Sequence, residues 1–138
     1  MKPELQNLMK LGSLAAEPYD ASEAQRMLIK ADIDLADARN TTISEQARFN
    51  SAYSAAHMAA IVGLRLQGLR NKNNRYIAFQ CLPHTVGWPA SKWRIFDAAH
   101  ARRNRAEYEA YIDHDPKSTA ELVELADELI KEVKRLVP

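Results

Sequence analysis

A single cysteine, Cys81, stands in the 138 residues, so no intrachain disulfide can form and the framework of a small secreted disulfide domain is excluded. Glycine is almost as scarce. Gly12, Gly63, Gly68 and Gly87 are too dispersed to build a phosphate-cradling loop, which removes P-loop nucleotide hydrolysis from consideration. No uninterrupted apolar run reaches the length of a signal peptide or a membrane span, the opening Met1-Lys2-Pro3-Glu4-Leu5-Gln6 included. The histidines, His57, His84, His100 and His114, are scattered over separate predicted elements, and neither HExxH nor CxxC occurs, so no metal and no cofactor are expected. An excess of one charge is missing too: 19 Lys and Arg face 18 Asp and Glu, a net charge of +1, so any anion site has to be a local patch, for which Arg94, Arg102, Arg103 and Arg105, with Arg65, Arg70, Lys72 and Arg75 upstream, are the candidates. A reducing cytoplasm, away from any membrane, is the expected setting.

What is present is helical spacing almost everywhere, without the sustained alternation of a half-buried strand. The expected fold is all-α, an up-and-down bundle of four to five main helices in one domain, 1–138. Residues 1–18 form a short helix and linker, and 20–137 form the core bundle. A first helix is predicted from Pro3 to Ala16, with Leu5, Leu8, Met9 and Leu11 inward and Pro18 ending it. Ser22-Glu23-Ala24-Gln25 has the form of a capping box for a second helix running to about Asn40, with Ala24, Leu28, Ala31, Leu35 and Ala38 as its stripe. Thr42-Ile43-Ser44-Glu45 repeats that pattern ahead of the longest helix, about Ile43 to Leu69. Its inward side, Phe49, Ala52, Tyr53, Ala56, Ala59, Ala60 and Gly63, is mostly small and suits a central packing helix. A turn at Asn71-Lys72-Asn73-Asn74 leads to a short helix over Arg75 to Leu82. Ser91 is the expected cap of a helix reaching Ile112. After a loop at Asp113-His114-Asp115-Pro116, Ser118-Thr119-Ala120-Glu121 caps a terminal helix with Leu122, Leu125, Leu129, Val133 and Leu136 on one face.

The chemistry concentrates in His100-Ala101-Arg102-Arg103-Asn104-Arg105-Ala106-Glu107-Tyr108. Advancing about 100° per residue from Phe96 puts Ala99, Arg103, Ala106 and Ala110 in one arc, so Arg103 is expected to face the packing side and to need a partner there. Arg102 and Arg105 fall off that stripe and read as solvated charges. His100, Glu107, Tyr111 and Asn104 follow on the adjoining edge, with Tyr108 just beyond. A guanidinium, an amide, an imidazole, a carboxylate and two phenols in one cluster can hold phosphate, assist proton transfer or satisfy one another across an interface. Elsewhere the residues read as structure: Cys81 as an inert buried thiol, His57 as a hydrogen-bonded core or interface histidine one turn after Tyr53, and Trp88 and Trp93 as a packing corner.

Two segments together resemble the HEPN superfamily of helical, dimeric domains. One is Ala47-Arg48-Phe49-Asn50-Ser51-Ala52-Tyr53-Ser54-Ala55-Ala56-His57-Met58-Ala59-Ala60, similar to the second-helix pattern of that superfamily. The other is the segment from Phe96 to Tyr108, which resembles its later helix with an Arg-polar signature. Phe79-Gln80-Cys81-Leu82-Pro83-His84-Thr85-Val86-Gly87 looks like the connecting segment of one branch. The resemblance implies a homodimer in which the Arg103-Asn104 segments of both copies meet at a shared cleft. In ribonuclease members a histidine follows the arginine after a short polar interval; here Arg103 and Asn104 match, but Tyr108 stands in the histidine's place.

The resemblance thus implies a cleft for RNA, a nucleotide or another anionic partner. Arg103, Asn104, Tyr108 and His100 are its candidate catalytic residues and Arg102, Glu107 and Tyr111 its further ligand-binding candidates. Metal-independent endoribonuclease activity, in a toxin-type protein, needs a substitute base, because a phenol with a reference pKa near 10 is a poor one at neutral pH. His100, one turn before Arg103, is the nearest candidate, and His114 a more distant one. The competing expectation is a catalytically inactive interaction protein, partner of a toxin or nucleotidyltransferase, in which Arg103 pairs with Glu107 or with its dimer mate. Its partner would be an antitoxin if the chain is itself the toxin. One HEPN branch is modified on a tyrosine near this motif by such a nucleotidyltransferase, which makes Tyr108 and Tyr111 the residues to watch.

Overall fold

The computed structural model describes residues 1–110 and 115–138. It is an all-α bundle. Four long helices form it: α2 (Ala21–Ala38), α3 (Glu45–Leu66), α6 (Ala90–Tyr108) and α7 (Pro116–Leu136). Short elements fill one end, namely α1 (Pro3–Lys10), α4 (Ile77–Gln80), α5 (Leu82–Thr85) and two strands, β1 (Leu14–Ala16) and β2 (Leu69–Asn71). Among the described residues no helix is long and apolar enough to cross a membrane.

The centre of the bundle is α3, because its alanines let neighbours approach on several sides. Ala52, Ala55, Ala56, Ala59 and Ala60 are all fully buried beside Phe49 and Val62. Gly63 carries the same logic further: a Cβ there would lie 3.3 Å from Thr85 Oγ1, so glycine is what lets α5 sit against the helix. α7 covers the opposite side with Leu122, Leu129, Ile130 and Val133.

The first helix departs from expectation. It stops at Lys10, and Gly12, at φ +79°, turns the chain out of the helix so that Leu14–Ala16 pairs antiparallel with Leu69–Asn71. Glycine takes this left-handed conformation without steric cost, and the buried side chains of Leu14 and Leu69 give the ribbon an apolar anchor. The ladder is three residues long, too short to show an alternating pattern.

The caps also differ, each time in favour of an earlier acid or a later hydroxyl. Asp20, rather than Ser22, caps α2 by accepting from the Ser22 and Glu23 amides at 2.9 and 3.2 Å. Ser44, rather than Thr42, caps α3 through the Ala47 amide, while Thr42 bonds Asn40. Asp115, rather than Ser118, caps α7 by accepting from the Ser118 amide, with Pro116 opening the first turn. Ser91 caps nothing: α6 starts at Ala90 behind Pro89, without a side-chain cap. Both aspartates precede helices whose first-turn donors need an anionic acceptor, and a carboxylate supplies a stronger one than a hydroxyl.

Candidate functional site: the Arg103 cleft

Adjacent arginines on α6 face different ways. The buried sector of this helix is Phe96, Ala99 and Arg102, at three-residue spacing, so its centre lies to one side of the arc drawn from Phe96 and Arg103. Arg102 is therefore the interior residue, 3% exposed, and the expectation that it is a solvated charge is corrected. Its Nη2 reaches both carboxylate oxygens of Glu45 at 2.6 and 2.8 Å. Its Nη1 donates to Ser118 Oγ and Thr119 Oγ1, and its guanidinium lies 4.0 Å from the Phe49 ring centre. Thr119 also bonds Glu45, so the group ties the starts of α3 and α7 to the middle of α6. With both Nη atoms engaged, the guanidinium acts as a structural rivet between the three helices.

Arg103 lies at the edge of the sector, its side chain 27% exposed, and opens onto a cleft of about 750 Å³ between α3 and α6. Gln46, Asn50, Tyr53 and Ser54 line the α3 side; Arg103, Ala106, Glu107 and Ala110 line the other. Arg75, from the segment between β2 and α4, completes the lining. Arg103 Nη2 pairs with Glu107 at 3.0 Å, and its guanidinium lies 5.4 Å from the Tyr53 ring centre. Among the described residues no carboxylate pairs with Arg75.

Behind the cleft stands a fixed imidazole. His100 Nδ1 lies 3.1 Å from Tyr53 Oη, its Nε2 lies 3.2 Å from the Asn104 amide nitrogen, and its ring stacks on Tyr76 at 4.2 Å. Tyr76 in turn donates to Asp97 at 2.7 Å. Burial, and then the positive charge of Arg103, push the His100 pKa below its ordinary value, so the ring is neutral at pH 7. With the Asn104 amide donating to Nε2, the ring proton sits on Nδ1 and is donated to Tyr53, which frees the phenolic hydrogen for the cleft. Burial raises the Tyr53 pKa while Arg103 and Arg75 oppose it, so the phenol stays protonated at neutral pH.

Arg75 owes its position to His57. The buried His57 places Nε2 2.7 Å from the Arg75 carbonyl and lies parallel to the Tyr53 ring. Burial pushes its pKa down to about 4, so at neutral pH the ring donates one N–H to that carbonyl and carries no charge.

The structure thus brings Arg103 and Glu107 into the cleft and sets His100 and Asn104 directly behind Tyr53. Tyr108 is 78% exposed and outside the lining. Tyr111 and His114 lie outside the described residues; α6 itself ends at Tyr108 instead of reaching the expected Ile112, with Glu109 as its cap and Ala110 in the left-handed region at φ +53°. Tyr53, expected only as a packing residue, is the hub; Arg75, expected as one of several upstream cations of a local anion patch, is the one of them that joins Arg103 in this lining, while Gln46, Asn50 and Ser54 were not singled out. A signal existed for part of this: Gln46, Asn50, Tyr53 and His57 recur at three- and four-residue spacing along α3, a polar edge beside an alanine face. Among the described residues no group of histidine, cysteine and carboxylate side chains is arranged to hold a metal ion. No family model and no curated protein matches the chain.

Proposed function

We propose that this protein is a HEPN-like homodimeric domain whose Arg103 cleft binds a phosphate-bearing ligand, RNA or a nucleotide. The observation that carries the reading is the convergence of two guanidiniums, Arg75 and Arg103, on the protonated phenol of Tyr53 within one cleft. Guanidinium and phenol are both donors, and donors gathered around a cavity favour an anionic oxygen-rich ligand. Cleavage of RNA, if the cleft performs it, involves His100 only through the Tyr53 hydroxyl it holds, since both ring nitrogens are engaged behind the cleft; Tyr108 stands apart from this cluster. The direct test is a metal-free binding and cleavage assay on mixed cellular RNA, with Arg103→Ala at identical salt. Binding or cleavage by the native chain, lost in a folded Arg103→Ala dimer, is the expected result.

A second reading has an observation of its own. The Arg103–Glu107 pair is the internal pairing expected of a non-catalytic interaction protein, partner of a toxin or nucleotidyltransferase. On that reading Arg103→Ala loosens the dimer and leaves RNA binding, if any, unchanged, and analytical ultracentrifugation separates the two.

A further inference from the structure

We infer that the Arg103 cleft takes a ribonucleotide by a terminal 5′-phosphate monoester, with Arg75 and Arg103 on the phosphate, Glu107 on the ribose hydroxyls and the Gln46–Asn50 amide pair on the base edge. This rests on the proposed anion-binding role of the cleft and narrows it to one ligand class.

The placement of the groups supplies the argument. Glu45 and Phe49 of α3 meet Arg102, whereas Tyr53, farther along, meets His100, so α3 and α6 run in opposite senses. The later residues of α6 therefore run beside the earlier ones of α3. Arg103, against the Tyr53 ring, and Arg75, whose charge acts on the Tyr53 phenol, therefore belong to the Tyr53 end of the α3 lining, Gln46 and Asn50 lie towards the start of α3, and the helix sense puts Glu107, one turn beyond Arg103, on the Gln46 side. From Tyr53 back to Gln46 is roughly 10 Å at the rise of a helix, the length of a mononucleotide rather than of a bare anion. The cleft's volume, about 750 Å³, also suits a single small ligand.

Charge separates this ligand from a polynucleotide track. Two guanidiniums and the Glu107 carboxylate leave one net positive charge in the lining, enough for one phosphate but not for the succession of phosphates that gives backbone binding its strength. A carboxylate in the cleft repels a second phosphate and accepts hydrogen bonds from hydroxyls, which a ribose provides. Towards the start of α3, Gln46 Nε2 donates to Asn50 Oδ1 at 3.3 Å, while Gln46 Oε1 is buried without a hydrogen-bond partner. An idle buried acceptor is costly, so a base N–H that draws this amide into the cleft gains a bond the empty site leaves unmade.

The test is calorimetric titration of the full chain with 5′-AMP, 5′-dAMP, inorganic phosphate, and a tetraribonucleotide with or without a 5′-phosphate. Removing the 5′-phosphate is expected to weaken the tetranucleotide about tenfold or more, the loss of charge-assisted bonds to two arginines. Binding of 5′-AMP as tight as that of the phosphorylated tetranucleotide assigns the free nucleotide as the source; tighter binding of the tetranucleotide assigns an RNA end. In the native chain 5′-dAMP binds several-fold more weakly than 5′-AMP, and in Glu107→Gln that preference collapses while inorganic phosphate binds more tightly. If both tetranucleotides bind equally and Arg103→Ala abolishes both, the cleft reads RNA backbone, and the nucleotide assignment falls while the anion-binding role stands. If no probe binds the folded chain, both fall. An unchanged preference for 5′-AMP in Glu107→Gln overturns the place given to the ribose.

Discussion

Arg102 and Arg103 are neighbours in sequence and opposites in environment. Arg102 is enclosed by Glu45, Ser118, Thr119 and the Phe49 ring, so its charge is balanced inside the fold. Arg103 shares one partly exposed carboxylate and faces open space. The 100° step between consecutive helix positions is enough to send one guanidinium to the α3–α7 junction and the other to the cleft. Charge type alone does not separate a structural arginine from a functional one; what surrounds the guanidinium does.

The contrast has measurable consequences. Arg102→Ala takes the buried cation away from the largely enclosed Glu45 carboxylate and should lower stability by about 3 kcal/mol in urea unfolding. A loss under about 1 kcal/mol would show that the junction is solvated rather than closed.

The support of Arg75 is sensitive to acid through His57. Its folded pKa, about 4, lies below the ordinary value of an unfolded histidine, so the unfolded chain binds more protons between the two. The corresponding stability is complete above about pH 6.5 and is lost as pH falls towards 4, a change on the order of 2–3 kcal/mol. His57→Gln, which keeps a donor for the Arg75 carbonyl, should remove that portion of the acid limb. An identical pH profile in the variant would contradict the buried neutral ring.

Arg103→Ala sits at the other extreme. Its pair with Glu107 is partly exposed, so the expected loss of stability is below about 1 kcal/mol, read in the same urea series. Smallest of all is the response of Cys81: burial pushes its thiol up to about 11, and the native protein should resist alkylation at pH 8 until it is unfolded.

The long helices were legible in the sequence because apolar spacing over four or five turns outweighs any single residue. The stripe of α2 and the alanine side of α3 both lie where periodicity places them. Boundaries were less legible, since Asp20, Ser44 and Asp115 compete with hydroxyls only a few residues away. The β1–β2 ribbon left little trace, because its pairing joins residues more than fifty positions apart over only three rungs. At the site, Arg103, Glu107, His100 and Asn104 were visible as one helical cluster. Arg102 was misplaced, because the buried sector of α6 is set by packing against both α3 and α7 and not by Phe96 alone. Tyr53 and Arg75 reach the cluster only through tertiary contact, and no local pattern reports that.

The division of labour between the two arginines is tested most directly by thermal unfolding of native, Arg102→Ala and Arg103→Ala chains, each with and without the 5′-phosphorylated tetraribonucleotide. Arg103→Ala should melt close to the native chain yet gain no stability from the ligand, whereas the native chain melts higher in its presence. A melting point for Arg103→Ala as low as that of Arg102→Ala, or a ligand shift equal to the native one, would contradict the account.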